Sequence, residues 1–128
     1  MSSDPATTQV ADTLGMYFGG IDASDFARAF AALTPASRAS VPYPRFVSGV
    51  QTSQDTQVVI QSITTNADGS LDATVTFVSN QDPSHGPSPG ETCTDWSLDY
   101  TLAPNSSGHP AYLIAADRPT SGSGHTPC

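Results

Sequence analysis

The chain has 128 residues, enough for one domain with a modest hydrophobic core. It carries four arginines and no lysine against 12 acidic residues, which gives a formal net charge of −8. This imbalance disfavours nucleic acid and anionic membrane surfaces as partners, because both present dense negative charge. No apolar run approaches the roughly 20 residues of a membrane-spanning helix, so we predict neither nucleic-acid binding nor membrane insertion.

Two helices are predicted in the first 35 residues from apolar positions that recur every three or four residues. The first begins at Asp4–Pro5, an N-cap followed by proline, and ends at Gly19–Gly20. The second begins at Asp22 or Ser24 and ends at Thr34–Pro35. Their apolar faces consist of Val10, Leu14, Tyr17, Phe18, Ile21, Phe26, Ala27, Phe30 and Leu33.

The next segment is predicted to contain one more short helix. Residues 36–40 form a turn, and residues 41–44 are extended because each residue before a proline is pushed out of the helical region. A third helix follows over residues 45–50.

From about residue 56 the apolar period becomes that of strands. A hairpin turn is predicted at residues 66–69, a proline- and glycine-rich loop at 81–91, and another turn at 105–108. Arg118–Pro119 is expected to end the last strand. The four predicted strands cover residues 56–65, 71–77, 93–102 and 112–116.

This order predicts an α+β domain in which N-terminal helices pack on a curved, mainly antiparallel four-stranded meander sheet. Residues 1–128 form a single domain, with flexible segments at 1–7 and 119–127. Cys128 is expected to be tethered.

The chain contains two cysteines, Cys93 at the start of a predicted strand and Cys128 at the last position. The segment before Cys128 has no apolar residue to hold it, so a disulfide between the two cysteines is predicted. A zinc site is the less favoured interpretation of these residues, because His125 and Cys128 have no tightly paired ligands nearby. We therefore predict no metal or other cofactor. A cytosolic protein with two free thiols is the remaining alternative.

A disulfide indicates an oxidising compartment and therefore an extracellular or cell-surface domain. The first five residues lack the charged and apolar regions of an export signal. We therefore expect this chain to be the ectodomain of a longer exported protein.

Five segments and the last residue carry a resemblance to a known superfamily. They are residues 17–22, 25–30, 75–81, 93–96 and 100–102, together with Cys128. On these segments the sequence resembles the NTF2-like superfamily, the cystatin-like α+β cone fold, from about residue 8 to the end. The resemblance is closest to small exported domains of high-GC bacteria, found on lipoproteins and on receptor-type serine/threonine kinases.

The resemblance implies a conical pocket between helices and sheet, used for catalysis by some members and only for binding by others. Aromatic residues with a polar group suit a partly open cavity. The predicted ligand-binding residues are Tyr17, Tyr43, Gln81, Trp96 and Tyr100. Phe77 is assigned to the core.

No acid–base pair is visible in the sequence. Asp72, Asp95 and Asp99 alternate with apolar residues and are expected to face water, and Asp12 and Asp25 receive the same interpretation. None of His85, His109 and His125 lies on an apolar stripe. Residues 66–72 resemble a calcium loop only faintly and are interpreted as a turn.

The predicted function is a non-catalytic, extracellular ligand-binding or sensing module for a small apolar or amphipathic molecule. One alternative is a small isomerase- or dehydratase-like enzyme with an inward-pointing acid. The other is a structural spacer or protein-interaction domain with a filled interior. The acidic outer face of the sheet further predicts a monomer.

Overall fold

A computed structural model describes residues 3–128 and shows an α+β architecture, as predicted. The helices come first: α1 (Thr7–Asp22), α2 (Phe26–Ala31), α3 (Pro35–Ser40) and α4 (Tyr43–Val50). The strands follow: β1 (Gln54–Thr65), β2 (Leu71–Asn80), β3 (Cys93–Pro104), β4 (Tyr112–Pro119) and β5 (His125–Pro127). A short 3-10 turn, Pro83–His85, interrupts the long loop before β3. No helix within residues 3–128 is long and apolar enough to span a membrane.

The sheet is an antiparallel meander with strand order β1-β2-β3-β4, and β5 pairs with β3 beyond the end of β4. Apolar residues alternate with polar ones along β2, so one face can be buried while the other meets solvent. We call the face covered by α1 the inner face and the opposite one the outer face. The main core joins the two layers and consists of Val10, Leu14, Phe18, Leu71, Ala73, Val75, Phe77, Tyr100, Leu102 and Ile114.

Helix α1 runs on to Asp22, so the prediction that Gly19–Gly20 ends it is wrong. The physical reason is the packing of α2. A side chain on Gly20 would meet the backbone nitrogen of Ala29 at 2.7 Å and the carbonyl oxygen of Asp25 at 2.9 Å. The glycine therefore permits a close helix–helix approach instead of terminating the helix.

The starts of two other helices also differ from the predictions. Asp25, not Asp22 or Ser24, caps α2, and its carboxylate accepts from the backbone N–H of Arg28 at 3.3 Å. Helix α4 begins at Tyr43, two residues earlier than predicted. Pro44 fits inside its first turn because the N–H groups there have no intrahelical acceptor to lose.

The N-terminal cap is likewise displaced. The Asp4 carboxylate accepts from the N–H of Ala6 at 2.9 Å in a turn that precedes α1, and the helix itself begins at Thr7. Residues 1 and 2 of the segment predicted to be flexible lie outside the described residues.

The predicted disulfide is present: Cys93 and Cys128 are bonded, with their Cα atoms 5.3 Å apart. The segment predicted to be flexible over 119–127 ends instead in β5, which lies antiparallel to the first residues of β3. A backbone bond from Cys128 N–H to the Cys93 carbonyl at 3.2 Å continues this pairing. The disulfide places the tail in register with β3, so a fifth strand forms that the sequence did not predict.

Strand β4 extends to Pro119, past the predicted end at residue 116. Proline is tolerated there because Pro119 needs no backbone donor on the open side of an edge strand. The extension places Asp117 opposite Tyr100 and Arg118 opposite Asp99.

Strand β1 begins at Gln54, two residues before the predicted start. Its pairing with β2 is irregular after Thr56, where Gln57 adopts a positive φ of 55°. The added residues place Asp55 opposite Ser79, on the inner face of the sheet.

Candidate functional site

Two predicted site residues meet in the interior. Tyr17 on α1 and Tyr100 on β3 have ring centroids 6.5 Å apart, at a near-perpendicular tilt of 63°. Phe18 and Phe46 extend this aromatic wall, with centroids 5.1 and 6.2 Å from that of Tyr17. Tyr100 is buried, whereas Tyr17 keeps part of its surface exposed. These rings pack in the hydrophobic core, and Tyr17 lies at its partly exposed edge.

The two phenol groups are hydrogen-bond donors without protein acceptors: within residues 3–128, neither hydroxyl is hydrogen bonded to another group of the chain. Burial raises the pKa of Tyr17 far above its ordinary value, and the nearby carboxylates of Asp117 and Asp55 raise it further. Burial likewise raises the pKa of Tyr100, assisted by Tyr17 and the same two aspartates. Both hydroxyls therefore stay protonated at neutral pH and available as donors.

Asp55 is an inward-facing acid that the sequence interpretation missed. Only 7% of its surface is exposed. Burial raises the pKa of its carboxyl group to about 6, the Ser79 hydroxyl bond opposes this rise, and the nearby Asp22 carboxylate adds to it. The Asp22 side chain also accepts from the backbone N–H of Asp55 at 2.6 Å. Simple alternation along β1 does not reveal Asp55, because the pairing with β2 shifts register between Thr56 and Val59.

A second acid, Asp117, lies opposite Tyr100 on the edge strand. Protein atoms around its carboxyl group raise its pKa through desolvation. Its residue surface is nevertheless exposed, so water screens this carboxylate better than that of Asp55. We therefore regard Asp55 as the buried acid of the site and Asp117 as a charge at its rim.

Trp96 lies farther along the inner face. Its ring stacks on Phe77 at 6.3 Å and lies 4.8 Å from the ring of His125. The prediction that His125 lies in a flexible tail is wrong, because β5 pairs with β3 and holds the His125 ring against Trp96. The Nδ1 atom of His125 is buried without a hydrogen-bond partner among the described residues.

The remaining two predicted site residues lie apart from the tyrosine pair. Tyr43 is 41% exposed and packs edge-on against Phe30 at 5.3 Å. Gln81 is buried, and its amide donates to the Glu91 carbonyl at 3.2 Å and to the Thr94 hydroxyl at 3.0 Å. It fixes the long loop to β3, and ligand contact by either residue remains a prediction.

The outer face carries the aspartates that were expected to meet water. Asp72 accepts from Thr101 at 2.9 Å, and Asp99 accepts from Thr74 at 2.6 Å. Arg118 adds a cation that was not expected there, 3.8 Å from Asp72. A groove of about 670 Å³ lies beside this face, walled by residues 121–124 and by Gln57, and Trp96 contributes to its lining.

The described part of the chain holds no group of three or more histidine, cysteine, aspartate or glutamate residues arranged to bind a metal ion. The segment compared with a calcium loop is a hairpin turn. In it the Asp68 carboxylate accepts from both the N–H and the hydroxyl of Ser70, at 2.9 and 2.6 Å.

Comparisons of the chain with protein-family models, with curated proteins and with solved structures found no match.

Proposed function

We propose that the protein is an extracellular ligand-binding or sensing module of the NTF2-like type, whose site is the interior around Tyr17 and Tyr100. The observation that carries this proposal is the pair of protonated phenols without protein acceptors, set in an aromatic wall. An apolar wall with a few convergent donors is typical of a site for a small molecule that bears a carbonyl or hydroxyl oxygen.

Three further features support this assignment. The helices-first order with an antiparallel meander agrees with the class that the sequence resembles. The Cys93–Cys128 disulfide favours an oxidising compartment. Tyr17 is only partly buried, so the tyrosine pair adjoins the protein surface on that side.

The test is ligand capture followed by removal of the two hydroxyls. Protein purified without denaturation is examined by native mass spectrometry for a bound small molecule, and a panel of amphipathic compounds is screened by thermal shift. A ligand at about 100 times its dissociation constant adds roughly 2.7 kcal/mol to the stability. We expect Tyr17→Phe/Tyr100→Phe to abolish the shift.

The double variant should bind poorly and yet fold well, because it removes polar groups that have no partner in the folded chain. Tyr112→Phe, which removes a hydroxyl from the far end of β4, is the matched control and should retain binding. If no compound binds, or if the double variant binds as well as the parent, the interior is a filled core and the spacer alternative is correct.

Asp55 favours a second candidate, a small proton-transfer enzyme of the isomerase or dehydratase type. A buried carboxyl group with a pKa of about 6 has the proton affinity expected of a general base or acid near neutral pH. Once a ligand is known, its turnover by the parent and by Asp55→Asn separates the two candidates. Conversion that disappears in the variant while binding persists would establish the enzyme, and binding without conversion would establish the sensor.

A further inference from the structure

Half of the arginines of this acidic chain line one groove outside the interior site. Two adjoining recesses of about 370 and 660 Å³ share Met16, His109 and Pro110, so they form the two halves of one channel. We call it the helix-side groove. Arg38 lines one half and Arg28 the other, and His109 lies between them. Two of the four arginines in a chain of net charge −8 therefore converge here.

The guanidinium of Arg38 is held in place by the backbone. One of its terminal nitrogens, Nη1, donates to the carbonyl oxygens of Leu33 at 2.7 Å and Ala31 at 3.5 Å. Because a guanidinium has five N–H donors, the other nitrogens remain free to bind an anion. Within residues 3–128, Arg38 forms no ion pair.

Arg28 reaches the groove along the surface of α1. Its Nη1 atom lies 3.4 Å from the point at which a Cβ atom of Gly19 would sit. Gly19 follows Gln9, Asp12 and Met16 on the same face of the helix, and those three residues form the wall of the groove. Arg28 also has no carboxylate partner in the described part of the chain, although Asp12 lines the same half.

The rest of the lining is mixed. Hydrocarbon surface comes from Met16, Pro35, Pro104, Pro110 and Leu113, and polar groups come from Gln9, Asp12, Thr34, Asn105, Ser106 and Ser107. A channel with hydrocarbon surface beside two guanidinium groups that form no ion pair within residues 3–128 matches a ligand with a hydrocarbon body and one negative head. We propose that the helix-side groove binds a small amphipathic carboxylate, with its head on Arg38, Arg28 nearby, and its chain against Met16 and the prolines. This site is separate from the interior, so it stands whether or not the function proposed above is correct.

Sodium octanoate, kept below its micellar concentration, is a suitable probe. Titration calorimetry should show saturable binding that weakens with added salt. In ¹⁵N-labelled protein, the amide shifts should concentrate on Met16, His109 and Ala111. The neutral analogue 1-octanol should bind at least about tenfold more weakly, because hydrogen bonds to a charged group are roughly twice as strong as neutral ones.

Three arginine variants complete the test. Arg38→Gln should weaken octanoate binding about tenfold and Arg28→Gln a few-fold, since a charge-assisted bond is lost in each. Arg45→Gln removes the same charge from α4, outside the groove, and should bind within about twofold of the parent. Arg38→Gln removes hydrogen bonds to the backbone and could disturb α3. Arg28→Gln changes an exposed side chain and should keep the fold, so it tests the proposal independently.

Four outcomes would overturn the proposal. They are absence of saturable binding, equal affinity for 1-octanol, equal weakening by Arg45→Gln, and shifts centred on Tyr17 and Tyr100. The last would assign octanoate to the interior site and would be confirmed if Tyr17→Phe/Tyr100→Phe abolished binding.

Discussion

Asp55 shows how a single residue links the stability of this fold to the chemistry of its site. Its carboxyl group is 7% exposed and lies near Asp22, so ionisation is unfavourable in the folded state. The hydrogen bond from the Ser79 hydroxyl offsets only part of this penalty, so the pKa of Asp55 rises from 3.8 to about 6. A buried carboxyl group held in the folded state at such a cost is typical of a functional site, and both proposed functions can use it.

The first prediction concerns the pH dependence of stability. Between pH 3.8 and about 6 the folded protein holds the Asp55 proton and the unfolded chain does not. Stability from this group is therefore greatest below this window and falls as the pH rises through it, by roughly 3 kcal/mol at most. Asp55→Asn removes the fall, so the variant should be more stable than the parent at pH 7.5 and equal to it near pH 4.

Urea denaturation at pH 4, 5, 6 and 7.5 measures this difference. Asp12→Asn, which removes an exposed carboxylate from α1, is the matched control and should follow the parent at every pH. A constant gap between Asp55→Asn and the parent across the range would show that the Asp55 carboxyl group titrates normally.

The chemistry of the site was only partly predictable at the residue scale. Tyr17 and Tyr100 follow from the amphipathic patterns of their own elements, which determine the inward direction locally. The inward direction of Asp55 does not follow from such a pattern, because a β-bulge near Gln57 breaks the alternation between Asp55 and the rest of β1. His125 depends on a disulfide-guided strand, which local periodicity cannot reveal.

At the scale of the elements, the crossing of α1 and α2 depends on one glycine. Gly20→Ala places a methyl group 2.9 Å from the Ala29 Cβ atom and 2.9 Å from the Asp25 carbonyl oxygen. Neither atom can rotate away, because one is the only side-chain carbon of an alanine and the other belongs to the backbone. The helices must separate, and we expect a loss of about 1–3 kcal/mol despite the better helix propensity of alanine.

Gly15→Ala in the same helix is the matched control, because its added methyl group has no atom within 4 Å apart from its chain neighbours and the backbone of its own helix. This variant should gain up to about 1 kcal/mol from helix propensity alone. Guanidinium unfolding curves measure both free energies, and a stable Gly20→Ala protein would show that α2 is not packed as closely as described.

The attachment of β5 is the third prediction. The disulfide joins residues 35 positions apart, and closing a loop of that size restricts the unfolded chain enough to stabilise the fold by roughly 3–4 kcal/mol. Three paired residues alone cannot hold a strand. Cys93→Ser/Cys128→Ser should therefore lower the unfolding free energy by about that amount and release β5, while β1 to β4 stay paired.

Hydrogen exchange at the amides of Thr126 and Cys128 reports on this release, and denaturant unfolding reports the energy. Ser121→Ala, in the loop before β5, is the control and should change neither. Slow exchange at both amides in the double serine variant would mean that backbone pairing holds the tail without the covalent bond.

For the molecule as a whole, the order of most elements was predictable, whereas several of their ends were not, and the predictions of a turn over residues 36–40 and a flexible segment over 119–127 are wrong because α3 and β5 form there. Periodicity identified three helices and four strands because each amphipathic pattern is a local property of its segment. The boundaries at Gly20, Gln54 and Pro119 depend instead on tertiary neighbours, namely α2, the start of β2 pairing and the open edge of the sheet. Element ends are decided where local preference and packing compete.

Self-association of the whole molecule is governed by the charge of the outer face. Asp72, Asp95 and Asp99 lie there with Arg118 as the cation that β4 adds. One guanidinium, itself mostly exposed, does not neutralise three carboxylates, so two such faces related by a two-fold axis still repel each other. We therefore predict a monomer at neutral pH and moderate salt, with association increasing towards pH 4 as the net negative charge of the chain falls.

Light scattering between pH 7.5 and 4 tests this. Asp95→Asn should associate at a higher pH than the parent, whereas Asp12→Asn on α1 should not. A dimer that persists at pH 7.5 and micromolar concentration would mean that another surface, not the outer face, controls assembly.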